Sequence, residues 1–311
     1  MYKINYETIG GGKKIVSKRM IGAAAAEALE SKENILLTNE LSKEEIISSI
    51  NEQNYDEGFQ IPDNLNWTKM YFEGKDMDFK AKAMILKIKF NCFKLRNDTM
   101  EENKRPLFVL PGYSTQSFGW TISRTSKYHK EIFSQGFSDI YVFDFTGIGG
   151  RKEKKEDPGI NLQKIVQKDD SENPHAIDDM YQLIAGHIKE NILLNFNDIS
   201  ILGRSAGGGL SLHIALTHQL PVKGLNVACP GVNMKRMEDI IPGAKKDLPI
   251  RLSFASKDKK VPIDGPDGGT RLSKLFFENN YSDFIYLVMS TTSDDDHLNH
   301  RLHPILLKNL V

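Results

Sequence analysis

Gly203-Arg204-Ser205-Ala206-Gly207 constrains the fold of this chain more than any other stretch. An apolar run, Ile199-Ser-Ile-Leu202, leads into it, and a helical run carrying Leu210, Leu212, Ile214, Ala215 and Leu216 leads out. A G-x-S-x-G between a strand and a helix predicts a tight, strained turn that throws the serine hydroxyl above the sheet. Gly203 and Gly207 have no side chain, which lets the neighbouring strand and the helix close to contact distance. The helix start adds a positive dipole end beneath any oxyanion formed on the serine. Taken alone, the five-residue pattern also suits a glycine-rich turn with an incidental serine. The flanking strand and helix set the two readings apart.

From Pro106 onward, short apolar runs alternate with helical patterns, as in a mostly parallel sheet flanked by helices. Strands are expected at Leu107–Leu110, Ile140–Phe145, Ile199–Leu202, Gly224–Ala228, Ile250–Ala255 and Phe284–Met289. Strands with both faces apolar fit a sheet covered on each side. Asn173 and Pro174 open a predicted helix whose stripe is Ile177, Met180, Tyr181, Ile184 and Ile188. Residues 1–100 differ in texture and read as a mainly helical N-terminal extension, a candidate lid or docking segment, with 101–311 as the catalytic domain. Ser42-Lys-Glu-Glu45 is a capping box, staged by Leu41 and Ile46, for a helix to about Asn51. Met77 to Leu95 alternates apolar and basic residues and reads mostly as strand.

Composition narrows the partners. Lys+Arg and Asp+Glu both number 41, so no net field draws the chain toward nucleic acid or anionic lipid. The small-residue stretch Ile21 to Ala26 is broken by Glu27 and is too short to span a bilayer. Cys92 and Cys229 stand apart inside apolar runs and read as buried small hydrophobes, not as a disulfide framework. A soluble protein of the cytoplasm, with no nucleic-acid partner and no membrane span, is the simplest expectation. The oligomeric state is left open.

With these residues in place, the stretch from about 105 to 311 resembles the α/β-hydrolase superfamily, in its esterase- and lipase-like members. Phe108-Val-Leu-Pro111-Gly112-Tyr113-Ser114 looks like the strand and loop that supply the family's second oxyanion donor. The resemblance implies the amides of Tyr113 and Ala206 as the oxyanion hole, although the chain has Pro-Gly where the family often has His-Gly. Val142-Phe-Asp144-Phe-Thr-Gly147-Ile-Gly149-Gly150 is similar to the next strand and its exit loop.

The family's triad runs in the order serine, acid, histidine. The strand ending at Ala255 runs into Asp258, with Val261-Pro262 soon after, which makes Asp258 the expected acid; Asp264 and Asp267 are weaker candidates. After the last strand comes Ser290-Thr-Thr-Ser-Asp294-Asp295-Asp296-His297, which puts His297 first as the base and His300 second. His300 and His303 are expected in a terminal helix running from His297 to Leu310. The Asp294–Asp296 run with His297 and His300 also invites a metal reading. Adjacent carboxylates diverge, however, and H-x-x-H lacks the one-turn spacing of a helical zinc pair. No metal or cofactor is expected. Gly10-Gly11-Gly12-Lys13 lacks the phosphate-loop frame, and Gly147-Ile-Gly149-Gly150-Arg-Lys152 has Lys152 where a third glycine belongs.

The expected reaction is two-step acyl transfer to water from a small-molecule acyl substrate, a carboxylic ester, thioester or amide, through an acyl-enzyme on Ser205. Two alternatives stay open: an acyltransferase on the same triad, and a binding protein that uses the fold without catalysis. The stretch from Ser205 to Asp258 is too short to hold a large cap, so the site is expected to be open unless residues 1–100 cover it.

Overall fold

The computed structural model describes residues 3–9, 35–41, 67–70, 77–81, 84–88, 90–101, 104–112, 115–145, 185, 198–218, 220–291 and 299–311. The strands in chain order are β1 (Lys3–Ile9), β2 (Ile35–Leu41), β3 (Trp67–Met70), β4 (Met77–Ala81), β5 (Met84–Ile88), β6 (Phe90–Arg96), β7 (Pro106–Leu110), β8 (Asp139–Phe145), β9 (Ile199–Arg204), β10 (Val222–Ala228), β11 (Ile250–Ala255) and β12 (Phe284–Thr291).

One ten-stranded sheet has the order β2-β1-β12-β11-β10-β9-β7-β8-β6-β3, and β4 and β5 form a separate antiparallel pair. Pairing is parallel from β2 across to β8; β6 then runs antiparallel to both β8 and β3. The chain order reverses around β7, which lies between β8 and β9. In an open parallel sheet, the crevice for a ligand forms at the carboxyl ends of strands at such a reversal. The elbow serine follows β9, at that end.

The six strands expected from the sequence are all present, most of them one or two residues longer at an end. β7 and β9 are buried along their whole length, as strands covered on both faces must be. Helices Thr115–Lys127, Ala206–Leu216 and Gly269–Glu278 alternate with these strands. Every residue of Ala206–Leu216 is buried, because apart from His213 the segment is apolar or small and has no polar face to give to water. Phe108 stacks edge-on to Tyr141 and Phe143 of the neighbouring strand, at 5.3 and 5.1 Å between ring centres. Such pairs add to the burial of their area. Asp139, fully buried at the start of β8, is neutralised by Lys94 of β6 at 3.2 Å.

Most of the N-terminal region expected to be a mainly helical extension lies outside the described residues. Its described segments are strands, and β1, β2, β3 and β6 belong to the same sheet as the rest. The stretch Met77 to Leu95, expected to be mostly strand, is divided into β4, β5 and β6. The helix expected from Ser42 to Asn51 lies outside the described residues. Of the helix expected after Asn173, only Ala185 is described; it is helical and buried. The terminal helix is far shorter than His297 to Leu310 and spans Pro304–Leu307. The cause is Pro304 at its first turn: its ring clashes with a helical predecessor, and His303 accordingly has ψ 135, extended. Among the described residues, no helix is long and apolar enough to cross a membrane.

Candidate active site

Ser205 sits between β9 and the helix Ala206–Leu216 with φ 53 and ψ −120. A non-glycine residue here is strained by roughly 1–3 kcal/mol, and the surroundings must hold it there. They do so through the backbone: Ser205 N–H donates to Ala228 O at 3.0 Å, and Ser205 O accepts from Gly209 N–H at 3.0 Å and Gly231 N–H at 2.9 Å. The glycines leave the room the turn requires. A Cβ on Gly203 would lie 2.1 Å from Ser211 Oγ, and one on Gly207 would lie 2.2 Å from Pro111 O. The helix start is thus seated directly against the end of β7, where the Pro111-Gly112 loop begins. Ser205 itself is half-buried, so its side chain is not sealed from solvent.

Asp258 follows β11 and is buried. One carboxylate oxygen accepts the amides of Lys260 at 2.9 Å and Val261 at 3.0 Å; the other meets His300 Nδ1 at 2.8 Å. Burial alone would push the Asp258 carboxyl up. The hydrogen bond and charge of His300, with the two amides, outweigh it and hold the group below its ordinary range. It is therefore ionised at neutral pH. In His300 the balance falls the other way: burial lowers the affinity for a proton, Arg204 and Lys260 lower it further, and Asp258 only partly restores it. The imidazole is thus neutral near pH 7. With Nδ1 committed to Asp258, Nε2 is the nitrogen left to take a proton.

The histidine joined to Asp258 is therefore His300, placed second to His297 in the sequence reading. His297 lies outside the described residues, as do Asp294 to Asp296 and Tyr113. Ala206 is described and buried at the first position of its helix, the place expected for one oxyanion amide. Asp264 bonds to Thr270 Oγ1 at 2.8 Å, and Asp267 accepts the Met234 amide at 3.2 Å, so both are engaged away from His300.

Several side chains hold the His300 segment, and sequence reasoning missed them. Arg204 Nη2 donates to the His300 carbonyl at 2.6 Å. Asn299 Nδ2 donates to Lys257 O at 3.2 Å. His303 is fully buried, its Nδ1 3.1 Å from Ser253 Oγ and its Nε2 3.0 Å from Asn299 O. Burial pushes the His303 imidazole down to about 4. Both its ring nitrogens are in use, so this second serine–histidine pair anchors the segment and has no free nitrogen for proton transfer. The available signal was a polar residue inside an apolar strand end: Arg204 and Ser253 must find partners if buried.

Cys229, just past β10, has φ 38. Its sulfur and ligating atoms of Asp258 and His300 lie within 4.8 Å of one another. By residue type the trio would suit a soft divalent cation. However, both Asp258 oxygens and His300 Nδ1 are already hydrogen-bonded, the buried Arg204 guanidinium adds positive charge beside them, and burial pushes the Cys229 thiol well up. These features favour a proton-transfer centre over a cation site. Cys92 and Cys229 are both buried free thiols, as their apolar contexts suggested.

No family model matches the chain, and no curated protein does. Among solved structures it is similar to a protein described as a predicted CIB-like hydrolase from Thermoplasma acidophilum: 18% identity over 76% of this chain and 91% of the other, TM-score 0.43. It is also similar to the Pyrococcus furiosus esterase Pf2001 (14% identity, 76% and 87% covered, TM-score 0.44). A third is the siderophore hydrolase EstA from Aspergillus nidulans (12%, 76% and 91%, 0.44). On the chain's own geometry, a mostly parallel sheet with a strained serine after β9, an aspartate after β11 and its histidine after β12, the fold is that of the α/β hydrolases.

Proposed function

We propose that the protein is a serine hydrolase that cleaves a carboxylic ester, thioester or amide through an acyl-enzyme on Ser205. His300 is the base, and Asp258 orients it. The observation that carries this reading is the 2.8 Å bond between His300 Nδ1 and Asp258, in a segment tied to Arg204, the residue next to the strained serine.

In the first step Ser205 Oγ attacks the acyl carbon while its proton passes to His300 Nε2. The carbonyl oxygen becomes an oxyanion, facing the amide of Ala206 and, by the family resemblance, that of Tyr113. Collapse breaks the bond to the leaving group, which takes the proton from His300. Water then attacks the acyl-enzyme, again giving its proton to His300, and Ser205 departs with that proton as the acid is released. Asp258 stays ionised throughout and stabilises the imidazolium.

p-Nitrophenyl esters of increasing chain length test the reading. Turnover is expected on at least the short esters. The acidic limb of kcat/KM reports the base in the free enzyme. His300 must be neutral to accept a proton and is held below the ordinary imidazole value. Activity is therefore expected to persist as pH falls and to decline only below about 6.5. A limb well above that value, or no ester turnover at any length, counts against His300 or against the reaction class.

A further inference from the structure

Resting on the reading of Ser205 and His300 as nucleophile and base, we infer that Arg204 is a positioning residue that ties nucleophile, base and the helix carrying Trp120 into one unit. It is the first variable residue of the G-x-S-x-G turn and the last residue of β9, so its backbone carries Ser205 directly. It is also buried. Four residues surround its guanidinium. Nη2 donates to the His300 carbonyl at 2.6 Å, which fixes the backbone from which the base hangs. The guanidinium carbon lies 5.4 Å from the centre of the Trp120 ring, on the helix Thr115–Lys127 that follows the Pro111-Gly112 loop. It also shares the interior with Asp258 and Cys229, whose electrostatic influence partly offsets its burial.

The chemistry explains why an arginine suits this place. A planar fork can hydrogen-bond a carbonyl in its plane while presenting a face to an aromatic ring; an ammonium is a point charge and cannot divide itself this way. Among the described residues after β12, His300 is joined to the end of β9 through its carbonyl. Fixing the carbonyl of His300 removes freedom that would otherwise let Nε2 drift from Ser205 Oγ. Displacements of about 1 Å at such a centre cost roughly a hundredfold in rate. The charge has a second effect. Among the described residues, the groups facing His300 are Asp258 and Lys260 from the loop after β11, Arg204 from β9, Cys229 from the end of β10, and His303 on its own segment. Arg204 opposes protonation of the imidazole, so it helps keep the base neutral while Asp258 holds it in place.

The test compares Arg204→Met and Arg204→Lys with wild type in ester turnover across pH and in the rate of labelling by a fluorophosphonate. Arg204→Met is expected to lower kcat about 10- to 100-fold with a smaller change in KM. Its acidic limb is expected to move upward, because the opposing charge is gone. Arg204→Lys is expected to leave the limb near its wild-type place while recovering only part of kcat, since the charge remains and the fork does not. Labelling should slow in the same order. If Arg204→Met fails to fold, Arg204→Lys and Trp120→Leu, which removes the stacking face alone, still decide the matter by kcat and labelling rate. Wild-type kcat and an unmoved limb in Arg204→Met, or wild-type kcat in both Arg204→Lys and Trp120→Leu, would overturn the assignment. In those cases wild-type turnover and Ser205 labelling would still stand, so failure of the positioning role is distinguishable from failure of the serine mechanism.

Discussion

Replacing His300 with alanine is expected to lower kcat/KM by a factor on the order of 10⁴ to 10⁶, the range seen when a member of a serine–histidine–acid unit is removed. The same replacement at His297 is expected to change it by less than tenfold. The contrast follows from connectivity. Among the described residues, one oxygen of Asp258 accepts the amides of Lys260 and Val261 and the other bonds to His300 Nδ1, so His300 is the histidine that it orients. Removing His300 also strips Asp258 of the hydrogen bond and charge that hold its carboxyl down, and burial then acts unopposed by them. The His300→Ala carboxyl is therefore expected to bind a proton more readily than in wild type. A buried acid without its partner is also destabilising, so melting temperature should be measured beside activity. Steady-state kinetics of both variants on one ester check the prediction. Equal losses at the two positions, or a larger loss at His297, would reassign the base.

Gly207→Ala is expected to damage both fold and activity, although alanine is the better helix former. Propensity favours the change by about 1 kcal/mol. Against it, the new Cβ would sit 2.2 Å from Pro111 O and 2.3 Å from Leu110 O, and these are backbone atoms that no rotamer change can move aside. Over-packing of this kind costs about 1–3 kcal/mol and sometimes more, so the clash wins. The way to relieve it is for the helix start to retreat from β7. That carries the Ala206 amide and Ser205 away from the loop on the other side of the oxyanion. A fall in melting temperature of roughly 2–4 °C for each kcal/mol lost and a loss of at least a hundredfold in kcat are expected. Gly208→Ala grades the effect, since its Cβ meets Pro230 and Val227 at 3.0 Å; Gly243→Ala, with nothing within 4 Å, is the silent control. A Gly207→Ala protein with wild-type stability and kcat would mean that the elbow does not need to press on β7.

The sheet was legible in the sequence because buried parallel strands are written as short apolar runs, and all six expected runs became strands. The elbow was legible for a different reason. Two glycines around a serine, at a strand-to-helix junction, leave few other backbone solutions. Asp258 could be located by the strand before it. The base was harder to place, because three histidines lie within seven residues and periodicity alone spread a helix over all of them. The clue that resolves them is Pro304. By forcing His303 out of helical geometry it keeps the terminal helix from starting before residue 304, and His300 lies on an irregular segment that turns toward Asp258. Arg204 and Cys229 were invisible as site residues, since contacts across three strand ends depend on sheet order. That β1 would pair with β12 from the opposite end of the chain was equally hidden: a parallel neighbour needs no sequence proximity.

The most direct measurement is mass mapping of the fluorophosphonate adduct on wild-type protein, with Ser205→Ala alongside. The account predicts a single adduct on the peptide containing Ser205, formed faster as His300 loses its proton, and no labelling of Ser205→Ala. An adduct on another residue, or undiminished labelling of Ser205→Ala, would contradict it.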